Sequence, residues 1–169
     1  MVMLRNKRNK VARVFTDGAC SGNPGIGGWG AVVLLPKKVY KFSDACLETT
    51  NNRMELIAVI KGLTFARKSN AHVVHVFSDS AYVVNAITKG WINTWKEAGW
   101  KKSNGEQVKN SELWAALHAL ITSQGFDEVK FFKVKGHSGH HFNEMADKLA
   151  RQAVLEAKKS KEVSNGTRN

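Results

Sequence analysis

The chain has 169 residues, 43% hydrophobic and 24% charged, which suits one globular domain with a real core and excludes a disordered chain. Its 26 Lys and Arg against 14 Asp and Glu leave a formal net charge of +12, a balance that points to a polyanionic partner, nucleic acid before an anionic membrane surface. Two cysteines, Cys20 and Cys46, exclude a disulfide framework or a cysteine zinc site. They fit a reducing compartment. The basic N-terminus lacks the apolar stretch of a secretory signal, and no run is long enough to span a bilayer, so a cytoplasmic protein without a membrane partner is expected.

Residues 1–10, with "RNKRNK", read as a basic arm. "VARVFTD" is a strand that runs into the Gly/Asn/Pro cluster "GACSGNPGIGG". "WGAVVLLP" and "KVYKFSDA" are two further strands, close enough in sequence for an antiparallel meander. A helix follows, with Thr50, Asn51 and Asn52 all suited to cap it. Its apolar stripe is Leu56, Val59, Ile60, Leu63 and Ala66. It fades at Arg67–Asn70. "HVVHVFS" has the length and composition of a strand buried on both faces. "DSAYVVNAI" is a short helix. "GWINTWKEAGWKKSNGEQVKN" is polar and basic, with Trp91, Trp95 and Trp100 set into it. "SELWAALHALIT" is a helix with Ser111 as a candidate cap. "EVKFFKV" is a fifth strand, "GHSGHH" a loop, and "NEMADKLARQAVLEAKK" a last helix capped by Asn143. Past about Lys158 the composition is that of a basic disordered tail. The order is that of a mixed α/β sheet covered by helices.

Four carboxylates fall at element boundaries. Asp17 and Asp79 stand at the carboxyl ends of the first and fourth strands, where ligands of open α/β sheets bind. Glu55 is placed in the first turn of its helix, at the edge of the apolar stripe. Asp147 lies in the early turns of the last helix. Each has an ordinary reading. Glu55 can be a surface residue complementing the helix dipole. Asp79 can cap the next helix, Asp17 can start a turn, and Asp147 can pair with Arg151 at i,i+4. If the four converge, they repel and must be neutralised by protons or cations. Oxygen ligands without cysteine select Mg²⁺ or Mn²⁺. Two such ions roughly 3.5–4 Å apart clamp an in-line phosphoryl displacement. A basic protein with such a site reads as a nuclease.

The motifs "FTDGACSGNPGIGGWGAV", "TTNNRMEL", "SDSAYVVNAI", "GWKKSNGEQVKNSELW" and "KGHSGHHFNEMADKLA", in this order, resemble those of the bacterial-type, type 1 ribonuclease H family, over about Arg13 to Ala157. The resemblance implies a ribonuclease H-like fold, with a five-stranded sheet of three antiparallel strands followed by two parallel ones, flanked by helices. It implies a catalytic domain over residues 11–157, between the basic arm and the tail at 158–169. It implies a Mg²⁺-dependent endonuclease, with Mn²⁺ a possible substitute, that cuts the RNA strand of an RNA/DNA hybrid by two-metal chemistry. An activated water attacks phosphorus and leaves a 5′-phosphate and a 3′-hydroxyl. The metal ligands would be Asp17, Glu55, Asp79 and Asp147. His137 would be the mobile histidine that carries protons or helps product leave.

The substrate contacts are implied by the same resemblance. Asn23 and Asn51, with Asn52 beside them, would read the RNA 2′-hydroxyl, since an amide both donates and accepts. Thr50 and Asn110 would hold a DNA-strand phosphate. Lys96, Lys101 and Lys102 would contact phosphates, and Trp91, Trp95 and Trp100 would line the sugar path. Three departures stand out. Glu97 and Ala98 occupy positions that are often basic in the family, Ala81 replaces a glutamine of some relatives, and no separate N-terminal hybrid-binding domain is expected, since the ten residues before the core are too few to form one.

Other residues take plain readings. His140 and His141 are exposed loop histidines, His72 and His75 are packed or surface residues, and His118 has no role. Trp91 fits ordinary packing as well as hybrid contact. Met54 and Met145 are core filler. The cluster Gly22, Gly25, Gly27 and Gly28 precedes a strand, so it makes a tight turn and not a dinucleotide loop. A monomer is the default. The competing expectations are a non-catalytic RNA/DNA hybrid-binding module and a DNA-cutting integrase or transposase nuclease of the same fold.

Overall fold

The computed structural model describes residues 11–136 and 140–166. Strands β1 (Val11–Gly22), β2 (Gly25–Leu35) and β3 (Lys38–Thr49) form the antiparallel meander. Helix α1 (Asn51–Lys68) leads to β4 (Val73–Ser78). Helices α2 (Ala81–Thr88), α3 (Trp91–Glu97) and α4 (Ser111–Ile121) precede β5 (Glu128–Lys133), and α5 (His141–Gly166) closes the chain. The sheet order is β3-β2-β1-β4-β5, with β4 parallel to β1 and β5 parallel to β4. The expected mixed five-stranded sheet is therefore present.

One face of the sheet carries the main core. Val14, Val74 and Val76 point from the strands into Leu56, Val59 and Leu63 of α1 and Trp114 and Leu117 of α4, all fully buried. Each such aliphatic side chain contributes about 1.5–3 kcal/mol by leaving water. On the opposite face α5 lays Ala146 against Phe15, Val32 and Leu34, with Phe77 and Phe142 beside them. Alanine and glycine decide how close α5 comes. A side chain at Gly30 would run into Leu149 and the backbone of α5, and one at Gly28 into Ala153.

The parallel ladder ends in register. Thr16 pairs with Ser78, and Ser78 pairs with Lys133. Asp17 and Asp79 are therefore each the next residue beyond the paired ends of two neighbouring strands, and side-by-side carboxylates result from the register alone.

Four expectations need correction. β4 is not buried on both faces: its burial alternates, because α5 crosses the sheet toward β1 and β2 and leaves His75 and Phe77 only half covered. α5 starts at His141, so Asn143 is not its cap but a buried residue within the helix. The cap of α4 is Asn110, with φ 60°, and not Ser111. The tail at 158–169 is not disordered throughout, since α5 continues to Gly166. Its Lys and Glu residues are good helix formers, and a docked helix propagates cheaply once nucleated.

Candidate active site

Each carboxylate is carried by a different element. Gly18 is what lets α1 approach β1. A Cβ there would lie 2.6 Å from the Glu55 backbone nitrogen and 2.8 Å from the Met54 carbonyl carbon. That contact puts the Glu55 side chain over the end of β1. Glu55 is the fifth residue of α1, so it is not in the first turn, and it is only 3% exposed. The dipole-complementing surface reading therefore fails. Asp79 does not cap α2 either, because Ser80 does, accepting from the Val83 N–H at 3.3 Å. Oxygens of Asp17, Glu55 and Asp79 lie within 4.8 Å of one another. Asp147 joins them on the wall of one cleft, which Gly18, Asn51, Asn52 and Tyr82 also line. Its ordinary reading is also realised: Arg151 Nε and Nη2 reach Asp147 Oδ2 at 3.0 and 2.9 Å.

The electrostatics arise from the crowding. Burial, then the Asp79 charge, pushes the Asp17 carboxyl up to about 7. Burial, then the charge of Asp17, holds Glu55 well above its ordinary range. Glu55 Oε2 is buried with no hydrogen-bond partner among the described residues. A buried, unsatisfied carboxylate oxygen among like charges is costly, and a divalent cation relieves both defects at once. The donor set, hard oxygens only, suits a hard divalent cation such as Mg²⁺ or Mn²⁺ better than zinc.

The sequence profile of the RNase H family matches residues 9–155. The chain belongs to the ribonuclease H family. It is 50% identical to the ribonuclease H of Syntrophomonas wolfei over 141 residues, covering 83% of this chain and 94% of that protein. Against the ribonuclease H of Rhizobium etli it is 50% identical over 155 residues, covering 92% and 99%. Among solved structures, LC9-RNase H1, a type 1 RNase H with the type 2 active-site motif, superposes with a TM-score of 0.75 at 28% identity, over 88% of this chain and 74% of that one. The N-terminal RNase H domain of a Mycobacterium tuberculosis protein superposes with a TM-score of 0.72 at 28% identity, over 89% and 98%.

The other residues that the sequence resemblance singles out fall into two groups in this ribonuclease H. Near the carboxylates, Asn23 at the β1–β2 turn accepts from the Asn51 N–H at 3.2 Å, which ties the turn to the start of α1. Thr50 caps α1 through the Arg53 N–H at 3.3 Å. Arg53 donates to Asn110 Oδ1 at 3.1 Å and pairs with Glu112, whose carboxyl it holds below the usual range. Asn110 in turn donates to Tyr82 Oη at 3.1 Å, as does Trp114 Nε1. Thr50 and Asn110 are thus joined through Arg53. Sequence reasoning selects neither Arg53 nor Tyr82; Arg53 lies inside the "TTNNRMEL" motif, which is the available signal.

The second group is the basic protrusion. Trp95, Lys101 and Lys102 line a shared cleft with Thr94, Ala98 and Ser103. Trp95 also packs on Trp114, ring centroids 5.3 Å apart, and Trp100 sits edge-on to His118. Trp91 is the exposed one, 43% accessible, with Lys89 Nζ 5.3 Å from its ring centre. The packing reading therefore belongs to Trp95 and not to Trp91. Lys96 is exposed on α3. His72 approaches Asp127 at 3.9 Å, His75 packs against Phe132, and His141 packs against Phe142. His137 lies outside the described residues.

Proposed function

We propose that the carboxylate end of the sheet is where this type 1 ribonuclease H hydrolyses the RNA strand of RNA/DNA hybrids, using Mg²⁺ or Mn²⁺. The observation that carries this reading is the three-carboxylate group with its unpartnered Glu55 oxygen. Asp17, Glu55, Asp79 and Asp147 would hold the divalent cations. When bound, such ions acidify a water and stabilise charge on the attacking and leaving oxygens of a phosphodiester. The chain's own residues do the rest. Asp17 and Glu55, held above their ordinary range by burial and by neighbouring carboxylates, would give up protons as cations bind. Arg151 holds Asp147 in one rotamer. Asn23, Asn51 and Asn52 line the approach from the β1–β2 turn, where amides can donate to and accept from a 2′-hydroxyl. Thr50 and Asn110, braced by Arg53, offer polar groups for a DNA-strand phosphate. Lys96, Lys101 and Lys102 supply charge to the same strand, with Trp91, Trp95 and Trp100 shaping its path. His137 is assigned the proton-carrying role that a near-neutral imidazole suits. The working unit in this reading is a monomer.

The test is a cleavage assay with end-labelled RNA/DNA hybrid, duplex RNA, duplex DNA and single-stranded RNA, each with Mg²⁺ and with EDTA. The expected result is metal-dependent cutting of the hybrid's RNA strand alone, with 5′-phosphate ends. Hybrid retention without products would replace this reading with a binding module, and cutting of duplex DNA would replace it with a DNA nuclease.

A further inference from the structure

A second, smaller cleft adjoins the carboxylates at the β5 edge of the sheet. Asp79, Lys133, Val134, Lys135 and Gly136 line it. Its position is fixed by the sheet. Ser78 pairs with Lys133 across the parallel β4–β5 ladder, and the Val134 N–H donates to the Ser78 carbonyl at 2.9 Å. The chain after β5 then passes directly against Asp79: a Cβ on Gly136 would lie 3.2 Å from Asp79 Oδ2. Lys133 and Lys135 are exposed, and neither ammonium has a carboxylate partner among the described residues. Lys130, earlier on the same strand, is already paired with Glu128 at 3.1 Å. Two uncommitted cations therefore border a cluster of carboxylates without neutralising it by direct pairing.

We infer that Lys133 and Lys135 form a phosphate-binding site for the strand being cut, holding the backbone phosphate next to the one over the carboxylates. This rests on the ribonuclease H reading and adds a contact in a cleft that none of the substrate residues named above lines. The physical need is clear. A polyanion drawn over clustered carboxylates is repelled, and cations beside the cluster offset that repulsion where the strand leaves it. Lysine suits the task, because a flexible ammonium follows a phosphate whose position varies with sequence. The contact carries no base information, so it raises affinity equally for all hybrid sequences.

The experiment compares wild type with Lys133→Gln, Lys135→Gln and the double variant in the full chain, with Lys130→Gln as control. Steady-state cleavage of a hybrid is measured from low to high KCl, with thermal melts to confirm folding. The double variant is expected to raise KM about threefold to tenfold at low salt and to flatten the slope of log KM against log salt by roughly one unit. Lys→Arg at both positions restores most of the loss. A hybrid whose RNA ends one nucleotide beyond the scissile phosphate on this flank, so that the neighbouring phosphate is absent, removes the difference between wild type and double variant. Unchanged KM and slope in the double variant, with wild type active, would overturn the site while leaving the ribonuclease reading intact. An inactive wild type would instead refute the ribonuclease reading itself.

Discussion

Asp147 is gripped by Arg151: two nitrogens of the guanidinium reach one carboxylate oxygen, at 2.9 and 3.0 Å, one turn along α5. The pair ties Asp147, which lines the cleft, to the next turn of its own helix. The arginine side chain is 64% exposed, so the pair itself adds little stability. Arg151→Gln is expected to change stability by less than about 0.5 kcal/mol. The Mg²⁺ concentration for half-maximal cleavage should rise several-fold, because Asp147 must then be ordered when metal binds. A metal titration with unchanged midpoint would show that Arg151 does not position Asp147.

Asp17→Asn separates function from stability. Cleavage should be lost while hybrid binding stays near normal. Without metal at neutral pH the variant should be more stable than wild type by about 1–2 kcal/mol, read as roughly 2–8 °C in Tm, because one member of a repelling, buried group is gone. Near-normal turnover would remove Asp17 from the site.

The same substitution gives a pH test whose sign is fixed. The Asp17 carboxyl titrates near 7 in the folded chain against 3.8 ordinarily. Between those values the folded state holds a proton that the unfolded state has lost, so stability falls as pH rises through the window. The excess stability of Asp17→Asn over wild type should thus be small near pH 4 and grow up to about pH 7 in EDTA. Mg²⁺ should shrink the difference, because metal competes with the proton. A difference independent of pH would mean that the carboxyl is not held protonated by its surroundings.

Gly18→Ala should damage both packing and chemistry. The added carbon meets the backbone of α1, not a flexible side chain, so α1 must retreat at a cost of about 1–3 kcal/mol. Glu55 retreats with it. Leu63→Ala serves as comparison, since it costs about 2–5 kcal/mol in the core and leaves the carboxylates in place. At a temperature where both variants are folded, the Gly18 variant should have lost far more activity. Equal activities would show that the β1–α1 approach does not set the site.

Deleting residues 158–169 should leave the melting temperature within about 2 °C of wild type. The last residues of α5 buried against the sheet are Ala153 and Val154, and the helix beyond Lys158 is exposed to solvent. A fall of 5 °C or more would show that these turns brace the fold.

The element types and their order are readable because period-2 and period-3.6 patterns record burial directly. The strand "VARVFTD", the stripe Leu56–Val59–Leu63 and the antiparallel meander are of this kind. So is the family, since five motifs in one order carry more information than any spacing. Less legible is whatever depends on a partner distant in sequence. Glu55 reads locally as an edge residue of a first turn; it is buried because Gly18 admits α1. Trp91 and Trp95 have similar local contexts, and only the position of Trp114 decides that Trp95 packs. The end of α5 is hidden from composition, which records hydrophobicity and charge, whereas helix persistence depends on a docked nucleus upstream.

The sequence by itself determined the inventory: four carboxylates at element ends, amides beside a helix start, and a basic, tryptophan-bearing segment. Their chemistry is a property of residue type and travels with the chain. The tertiary structure decided the distances. Thr16 opposite Ser78 and Ser78 opposite Lys133 are facts of register, and register is set by burying one face of a sheet against α1 and α4. Through it Asp17 meets Asp79, and Lys133 and Lys135 come to stand beside them.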